Sequence, residues 1–442
     1  MKQITNKQLS AWSKAAAADP QRQLAGMALS KTAMDEVALV TASANVMHHD
    51  FSVNVKTLPA ANQQASGRCW IFAATNVLRE AIAKKCNLDK FELSQNYIAF
   101  YDKFERCNYF FESILQTADA PTSDRTVAYI FSTGVHDGGQ WDMFANIVRK
   151  YGVIPKSVYA ETFQSCHTNM MNRILNQNLK KGAMELRRMV AKKASDKELQ
   201  DKKNAMLAKI YAYLSSCYGE PPKKFDFEYT DKDGGYHVER GFTPKSFAEK
   251  YVGDLLDRVV SVIHAPTADK PYHKTYTIRL LGNVVGGKDV VHLNLTMDEM
   301  KAAIIRQLQA GKIVWFGSDC MPSGDRLKGF WDDKSYNYEL LSGLDLDIDK
   351  ADGLDSGFSA MNHAMVLTGV NLVNGKPNRW KIENSWGDEK GNKGYYVCSD
   401  SWFDKFVYQA AVEKEYLGDL AAYAKKTPIV LEPWDPMGTL AD

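Results

Sequence analysis

Three short motifs contain the residue types that acyl transfer requires. The first ends in Cys69-Trp70, the second contains His363 and the third contains Asn384. A cysteine attacks a carbonyl carbon as a thiolate, and a helix N-terminus together with an adjacent imidazolium lowers its pKa. A histidine supplies that imidazole, and a further polar side chain orients the ring. The motifs together predict a nucleophilic site made of Cys69, His363 and Asn384.

Each motif alone is more simply explained by packing, because a lone cysteine on an amphipathic helix or a lone histidine opening an apolar strand is usually structural. The turn signal Asn374-Gly375 predicts a hairpin between the strands that carry His363 and Asn384. Side chains on adjacent antiparallel strands lie within reach of each other. We expect Asn384 to bond one imidazole nitrogen, Trp386 to shield that bond from water, and the other nitrogen to face Cys69.

The segment from Gln63 to Trp70, QQASGRCW, resembles the nucleophile motif of the papain-like cysteine peptidases. The resemblance implies an α+β fold of two lobes, in which a helical lobe carries the cysteine and an antiparallel β lobe carries the histidine and asparagine. It also implies that Gln63, six residues before Cys69, donates to the oxyanion together with the Cys69 backbone N–H. Gln64 is the alternative donor.

Two departures from the papain signature indicate a particular branch of this family. Gly67-Arg68 precedes Cys69 without an earlier cysteine, and His363 lies roughly twice as far downstream as usual. These features, and segments along nearly the whole chain, resemble bleomycin hydrolase and bacterial aminopeptidase C. The branch implies an aminopeptidase acting on peptides, a homohexamer whose active sites face an internal cavity, and a role for Gly138 and Gly139 at the edge of the cleft. The matching segments are FELSQNYIAFYDK, DGGQWDM, GVIPKSVY, MNRILN, QLQAGKIVWFG, NHAMVLTGV, KIENSWG and WDPMGTLA.

The tail Trp434–Asp442 has a role implied by the same resemblance. In that branch the last residues lie in the cleft and leave space for about one substrate residue, so that a carboxylate there can pair with a free ammonium group. Ala441 and Asp442 are then expected to contact the substrate. Relatives commonly end at or just past the alanine, so either Asp442 is trimmed or it presents the carboxylate itself. The alternative is that the tail does not dock and is a frayed chain end, as most termini are.

The texture of the chain predicts five units. Helical spacing after Cys69 places this residue at or near a helix N-terminus, and Thr296 with Glu299 forms a capping box for a helix from about Met297 to Ala310. Strand patterns dominate the C-terminal third, so the active site should lie in the cleft between a helical and a β unit. The units are an arm (1–60), the helical lobe (61–168), a helical insertion for oligomerisation (169–290), the β lobe (291–430) and the tail (431–442).

Composition excludes several classes of protein. The 442 residues are 45% apolar with a net charge of +2, which indicates a globular chain without a whole-chain signal for nucleic acid. Seven cysteines without a CxxC pair indicate free thiols, and no segment has the length of a signal peptide core or a membrane span. We therefore expect a cytoplasmic protein. A near-match to a P-loop has Asp289 where the motif requires Ser or Thr, and a near-match to an EF-hand has Lys350 where the motif requires Gly. No cofactor and no metal is therefore expected.

Three other functions stay open. An endopeptidase of the same branch would use the same motifs, and a transglutaminase-like acyltransferase would usually have aspartate in place of Asn384. A nucleic-acid binder would use the basic run between Lys180 and Lys203, which is more often a solvated helix face. Such a binder would bind nucleic acid equally well after Cys69→Ala.

Overall fold

A computed structural model of the chain describes residues 1–441. Helices dominate its first half, because apolar residues recur there at helical spacing and capping residues mark the helix starts. The N-terminal half contains α1 Asn6–Ala18, α2 Pro20–Leu29, α3 Met34–Ala38, α4 Thr41–Ala44, β1 Val53–Asn54, α5 Cys69–Cys86, α6 Gln95–Gln116, α7 Arg125–Thr133, α8 Trp141–Tyr151, α9 Phe163–Cys166, α10 Asn169–Ala191 and α11 Asp196–Tyr218.

Strands dominate the second half. After the hairpin β2 Phe225–Thr230 and β3 Tyr236–Phe242, the chain forms α12 Pro244–Tyr251, α13 Leu255–Arg258, β4 Val259–Ile263, β5 Thr275–Ile278, β6 Val291–Asn294, α14 Met297–Gln309, β7 Val314–Ser318, β8 Gly324–Asp325, β9 Phe330–Trp331, α15 Tyr338–Ser342, α16 Lys350–Asp355, β10 His363–Val373, β11 Lys376–Glu383, β12 Tyr395–Ser399, α17 Asp400–Phe406, β13 Val407–Glu413, α18 Lys414–Leu417, a 3₁₀ helix at Gly418–Lys425, β14 Ile429–Leu431 and a second 3₁₀ helix at Pro436–Ala441.

One large sheet organises the β lobe. Its strand order is β14-β5-β6-β4-β13-β7-β10-β11-β12-β9-β8, and β1 pairs with β10. The central pairings from β4 through β12 along this path are antiparallel, whereas β14 with β5, β6 with β4 and β12 with β9 are parallel. Helix α5 packs against β10 and β7, so the helical lobe docks on the centre of the sheet.

Local sequence signals agree with these elements. In the predicted capping box, the Glu299 N–H donates to the Thr296 hydroxyl at 3.3 Å, and the Thr296 N–H donates to the Glu299 carboxylate at 3.0 Å. The hairpin between β10 and β11 turns at Asn374 and Gly375, with φ of 51° and 77°. Such left-handed angles suit a two-residue turn and favour asparagine and glycine. This turn brings the first residue of β10 and the residue after β11 to the same end of the sheet.

Four strands lie where the sequence suggested a helical insertion. Within residues 169–290, β2 and β3 form a separate hairpin, whereas β4 and β5 belong to the large sheet, and β4 pairs with β13. The insertion nevertheless contains the long helices α10 and α11, and α11 ends before Gly219 as its glycine and prolines predict. The boundaries of the five units stay predictions.

No helix within residues 1–441 is both long and apolar enough to span a membrane.

Candidate active site

Cys69 is the first residue of α5. Its cap residue, Arg68, makes no side-chain capping bond, so the N–H groups of the first turn are not occupied by a cap. The Cys69 Sγ accepts a hydrogen bond from the Ala364 N–H at 3.4 Å, and Ala364 follows His363 on β10. Cys69 is buried. The thiol therefore lies where the N-terminus of a helix in one lobe meets the first strand residues of the other.

His363 and Asn384 are held together beside this contact. The His363 Nε2 and the Asn384 Oδ1 are 2.9 Å apart, and the same oxygen accepts the Ser385 N–H at 2.8 Å. Because that oxygen is an acceptor, the bond assigns the imidazole proton to Nε2 and leaves Nδ1 available. The Trp386 ring stacks on the imidazole, with centroids 4.9 Å apart and planes at 23°. Asn384 and Trp386 thus both contact the imidazole, as expected.

Gln63 is fixed by three hydrogen bonds to Ser385, the residue after Asn384, and to Ser66. Its backbone N–H donates to the Ser385 carbonyl at 2.8 Å, and its side-chain Oε1 accepts from the Ser385 hydroxyl at 2.6 Å. Its Nε2 donates one proton to the Ser66 carbonyl at 2.6 Å, which leaves a second proton for another acceptor. Gln64, in contrast, is exposed. The structure therefore favours Gln63 over Gln64 as a donor near Cys69.

The closed cleft disfavours isolated charges on both reactive groups. Burial raises the pKa of the Cys69 thiol to about 11, an effect that the Ala364 N–H opposes and Asp137 reinforces. Burial lowers the pKa of His363 to about 4, although the bond to Asn384 opposes this shift. Desolvation acts on each charged form separately. A thiolate is thus favoured here only when the proton it loses moves to the neighbouring imidazole.

Gly138 and Gly139 lie between Arg106, the Trp70 indole and the tail. The Gly139 N–H donates to the Leu440 carbonyl at 2.9 Å, and the Gly138 carbonyl accepts a hydrogen bond from the Arg106 guanidinium. A Cβ atom on Gly139 would lie 2.5 Å from Cε2 of Trp70. The absence of a side chain therefore allows the backbone of residue 139 to approach both the indole and the tail.

Asp137 is a site residue that sequence reasoning missed. Its carboxylate accepts the Gly67 N–H at 2.9 Å and the Asn172 amide at 2.9 Å, and it pairs with Lys103 at 2.7 Å. It also accepts the Thr168 hydroxyl. Burial raises its pKa, but Lys103 and these hydrogen bonds outweigh burial and hold the pKa well below the usual range. An acid directly before two glycines in DGGQWDM was the available signal.

The tail contacts both lobes. Met437, Leu440 and Ala441 are buried, and the Thr439 hydroxyl donates to the Met361 carbonyl at 2.9 Å. Asp435, near the start of the tail, anchors this segment by pairing with Lys270 at 2.8 Å. The described tail thus contacts the helical lobe through Gly139 and the β lobe through Met361. Asp442 lies outside the described residues.

The basic run of the insertion is partly engaged in structural contacts. Lys202 pairs with Glu185 at 2.7 Å, and Lys203 pairs with Glu112 on α6. Arg187 donates to two backbone carbonyls at the end of α6 and beyond it. These contacts account for part of the run without any nucleic-acid partner.

Comparison with known proteins assigns the chain to a family. The model of the Peptidase C1-like family matches residues 3–438. The chain belongs to this family. An aminopeptidase C from Lactobacillus delbrueckii subsp. lactis is 50% identical over 395 residues, covering 88% of both chains, and one from Listeria innocua is 42% identical over 99% of both. The crystal structure of PepW from Lactobacillus rhamnosis superposes with a TM-score of 0.96 at 48% identity over 99% of both chains.

These findings confirm the branch and the papain-like α+β fold that the motifs predicted. They also confirm the predicted class of enzyme in the Peptidase C1-like family, a cysteine aminopeptidase. The roles of individual residues are a separate question, which depends on the geometry of the site.

Gly139→Ala tests the close approach of the residue 139 backbone to the Trp70 indole. Because the added methyl group would overlap Trp70, the indole or the backbone must move, and overpacking of this kind costs about 1–3 kcal/mol. We expect a lower melting temperature and a kcat/KM reduced by about tenfold or more. Gly26→Ala in α2, where a Cβ meets nothing within 4 Å, is the control and should leave kcat/KM unchanged and the melting temperature unchanged or slightly higher, since Ala favours a helix more than Gly does. A Gly139→Ala enzyme with wild-type kcat/KM would show that the close approach is dispensable.

Proposed function

We propose that this cysteine peptidase releases N-terminal residues from peptides by thiolate acyl transfer, with Cys69 as nucleophile, His363 as base and Asn384 as the residue that orients the base. The observation that carries the proposal is the placement of Cys69 at the start of α5, opposite an imidazole whose Nε2 lies 2.9 Å from Asn384. The free Nδ1 is then the nitrogen that takes the thiol proton.

The chemical steps follow from these positions. His363 takes the proton from Cys69, and the thiolate attacks the carbonyl carbon of the first peptide bond. The Gln63 amide and the Cys69 N–H donate to the oxyanion that forms. Collapse of the tetrahedral intermediate transfers the proton from His363 to the leaving amine and leaves an acyl group on Sγ. Water, deprotonated by the same imidazole, then releases the N-terminal residue.

The tail supplies the preference for free amino ends. Its Leu440 carbonyl occupies the Gly139 N–H, a backbone donor that an extended substrate would otherwise use. A longer N-terminal extension would have to displace the buried Met437 and Leu440. We assign Ala441 and Asp442 the contact with the substrate ammonium group, where an acceptor gains a charge-assisted hydrogen bond. Gly138, Gly139 and Trp386 would line the remaining cleft.

The setting of the enzyme is part of the same proposal. We infer a cytoplasmic homohexamer, supported by free thiols at the described cysteines and by an N-terminal arm whose apolar side chains lack cover. Trp12 of α1 and Met27 of α2 are 53% and 62% exposed, and α1 and α2 bury none of their residues. An arm of this kind gains apolar burial only from a partner. Nucleic-acid binding stays the less favoured alternative.

Cys69→Ala tests the nucleophile. Covalent acyl transfer requires the sulfur, so we expect hydrolysis of a free-amino fluorogenic substrate to fall to background while the melting temperature changes little. Cys217→Ala, which removes a half-buried cysteine in α11, is the matched control and should retain full kcat. Turnover by Cys69→Ala near the wild-type rate would overturn the assignment.

Removal of the residues from Thr439 onward tests the role of the tail. The intact enzyme should prefer a free-amino substrate over its N-acetylated, longer counterpart. The shortened enzyme should gain activity on blocked peptides and lose aminopeptidase activity. Burial raises the pKa of the Cys69 thiol. If truncation exposes the thiol to solvent, its pKa should fall and its alkylation at pH 7 should become faster. An intact enzyme that already cleaves blocked peptides, with no change after truncation, would favour the endopeptidase instead.

A further inference from the structure

A buried ion pair connects the strand that precedes Asn384 to the helix that begins at Cys69. The Arg79 Nη2 lies 2.6 Å from the Glu383 Oε1, and the two side chains are 1% and 0% exposed. The Asn76 amide donates to the same oxygen at 2.8 Å. Because residues 76 and 79 are three apart, they share one face of α5. The helix that presents the thiol therefore holds the residue directly before the one that orients the imidazole.

The two charges lie in a buried environment that disfavours ionised groups. Burial raises the pKa of Glu383 to about 7, an effect that Arg79 opposes and the nearby Glu80 reinforces. Arg79 also donates to the Leu58 carbonyl at 3.3 Å. The Tyr395 hydroxyl donates to the same carbonyl at 3.0 Å, so this carbonyl keeps a donor even without Arg79. Replacing a buried ion pair with well-packed neutral side chains is often neutral or stabilising. Stability alone thus gives little reason for two charges at this position.

The charged pair fixes the relative position of the strand and the helix more strictly than apolar packing would. A guanidinium and a carboxylate bond in a narrow range of geometries, whereas apolar side chains slide past one another at little cost. Glu383 is the last residue of β11, so a shift of its carboxylate against α5 also shifts Asn384. The imidazole would then move relative to Cys69, because Asn384 is bonded to His363.

We propose that Arg79 and Glu383 are positioning residues that hold Asn384, and through it the His363 ring, at the distance from Cys69 that proton transfer requires. This inference rests on the proposed function of the three residues. Both side chains are almost fully buried, away from solvent and substrate, so we expect the pair to affect kcat and to leave KM unchanged.

The double variant Arg79→Met/Glu383→Gln tests the proposal. It removes both charges but keeps an acceptor for the Asn76 amide. The assay is run at pH 8, above the pKa of about 7 to which burial raises the Glu383 carboxyl. We expect an unchanged or higher melting temperature and an unchanged KM. We expect kcat to fall by about 100-fold, as small misplacements of catalytic groups do elsewhere. Lys203→Met/Glu112→Gln removes an ion pair between α11 and α6 by the same substitutions, and should leave kcat unchanged.

A folded double variant with wild-type kcat would overturn the positioning role and leave the proposed function intact. The proposed function fails separately, if Cys69→Ala still hydrolyses peptides. Arg79→Lys covers the case in which the double variant does not fold. It keeps the positive charge but cannot reproduce the geometry of the guanidinium, so we expect a kcat lower by about tenfold with the fold retained. Wild-type kcat in Arg79→Lys would also overturn the positioning role.

Discussion

The site depends on the contact between the first turn of α5 and the start of β10. The Ala364 N–H donates to the Cys69 sulfur across this contact, and His363 is the residue next to it. A second bond follows close by, from the Trp315 indole N–H to the Trp70 carbonyl at 3.2 Å. Trp70 and Trp315 are fully buried, so the lobes are driven together by apolar burial while a few polar bonds set their register. Neither lobe contains a complete site by itself.

Local patterns were sufficient to predict the elements that present the reactive groups. The start of α5 at Cys69, the hairpin at Asn374 and the capping box at Thr296 all depend on neighbouring residues, and the structure agrees with each. Helix α14 ends at Gln309, one residue before the predicted end, because Ala310 caps it. Gln63 is held by Ser385, whose hydroxyl donates to its side-chain oxygen, and its role as an oxyanion donor stays a prediction.

Long-range pairing was not predictable from such patterns. Ile263 of β4 pairs with Gln409 of β13. The hydrophobic pattern of neither segment identifies the strand with which it pairs. The same limit applies to Asp137, whose carboxylate binds groups from the nucleophile loop, α6 and the start of α10. Single residues that join several elements carry no periodic signal. A buried acid beside glycines is the most that sequence alone could have indicated.

The proposed role of the tail bears on the electrostatics of the site. In the proposed function the tail limits the length of the substrate and covers the cleft, and burial is the largest cause of the pKa shifts of both Cys69 and His363. In a dry cleft a single charge is costly, whereas a proton passed between two adjacent groups creates a compensated pair. The ion pair of Asp435 with Lys270 holds the start of the tail, so in the proposed function it helps to keep the cleft covered.

The covalent intermediate offers the most direct test of this account. Activated esters of a single amino acid and of a dipeptide, each with a free amino group, are mixed with the enzyme, and the acylated protein is trapped with acid and mapped by mass spectrometry. The account predicts that an acyl group of one residue accumulates on Cys69, while the dipeptide ester acylates much more slowly. Acylation of any other residue, or equally fast acylation by the dipeptide, would contradict it.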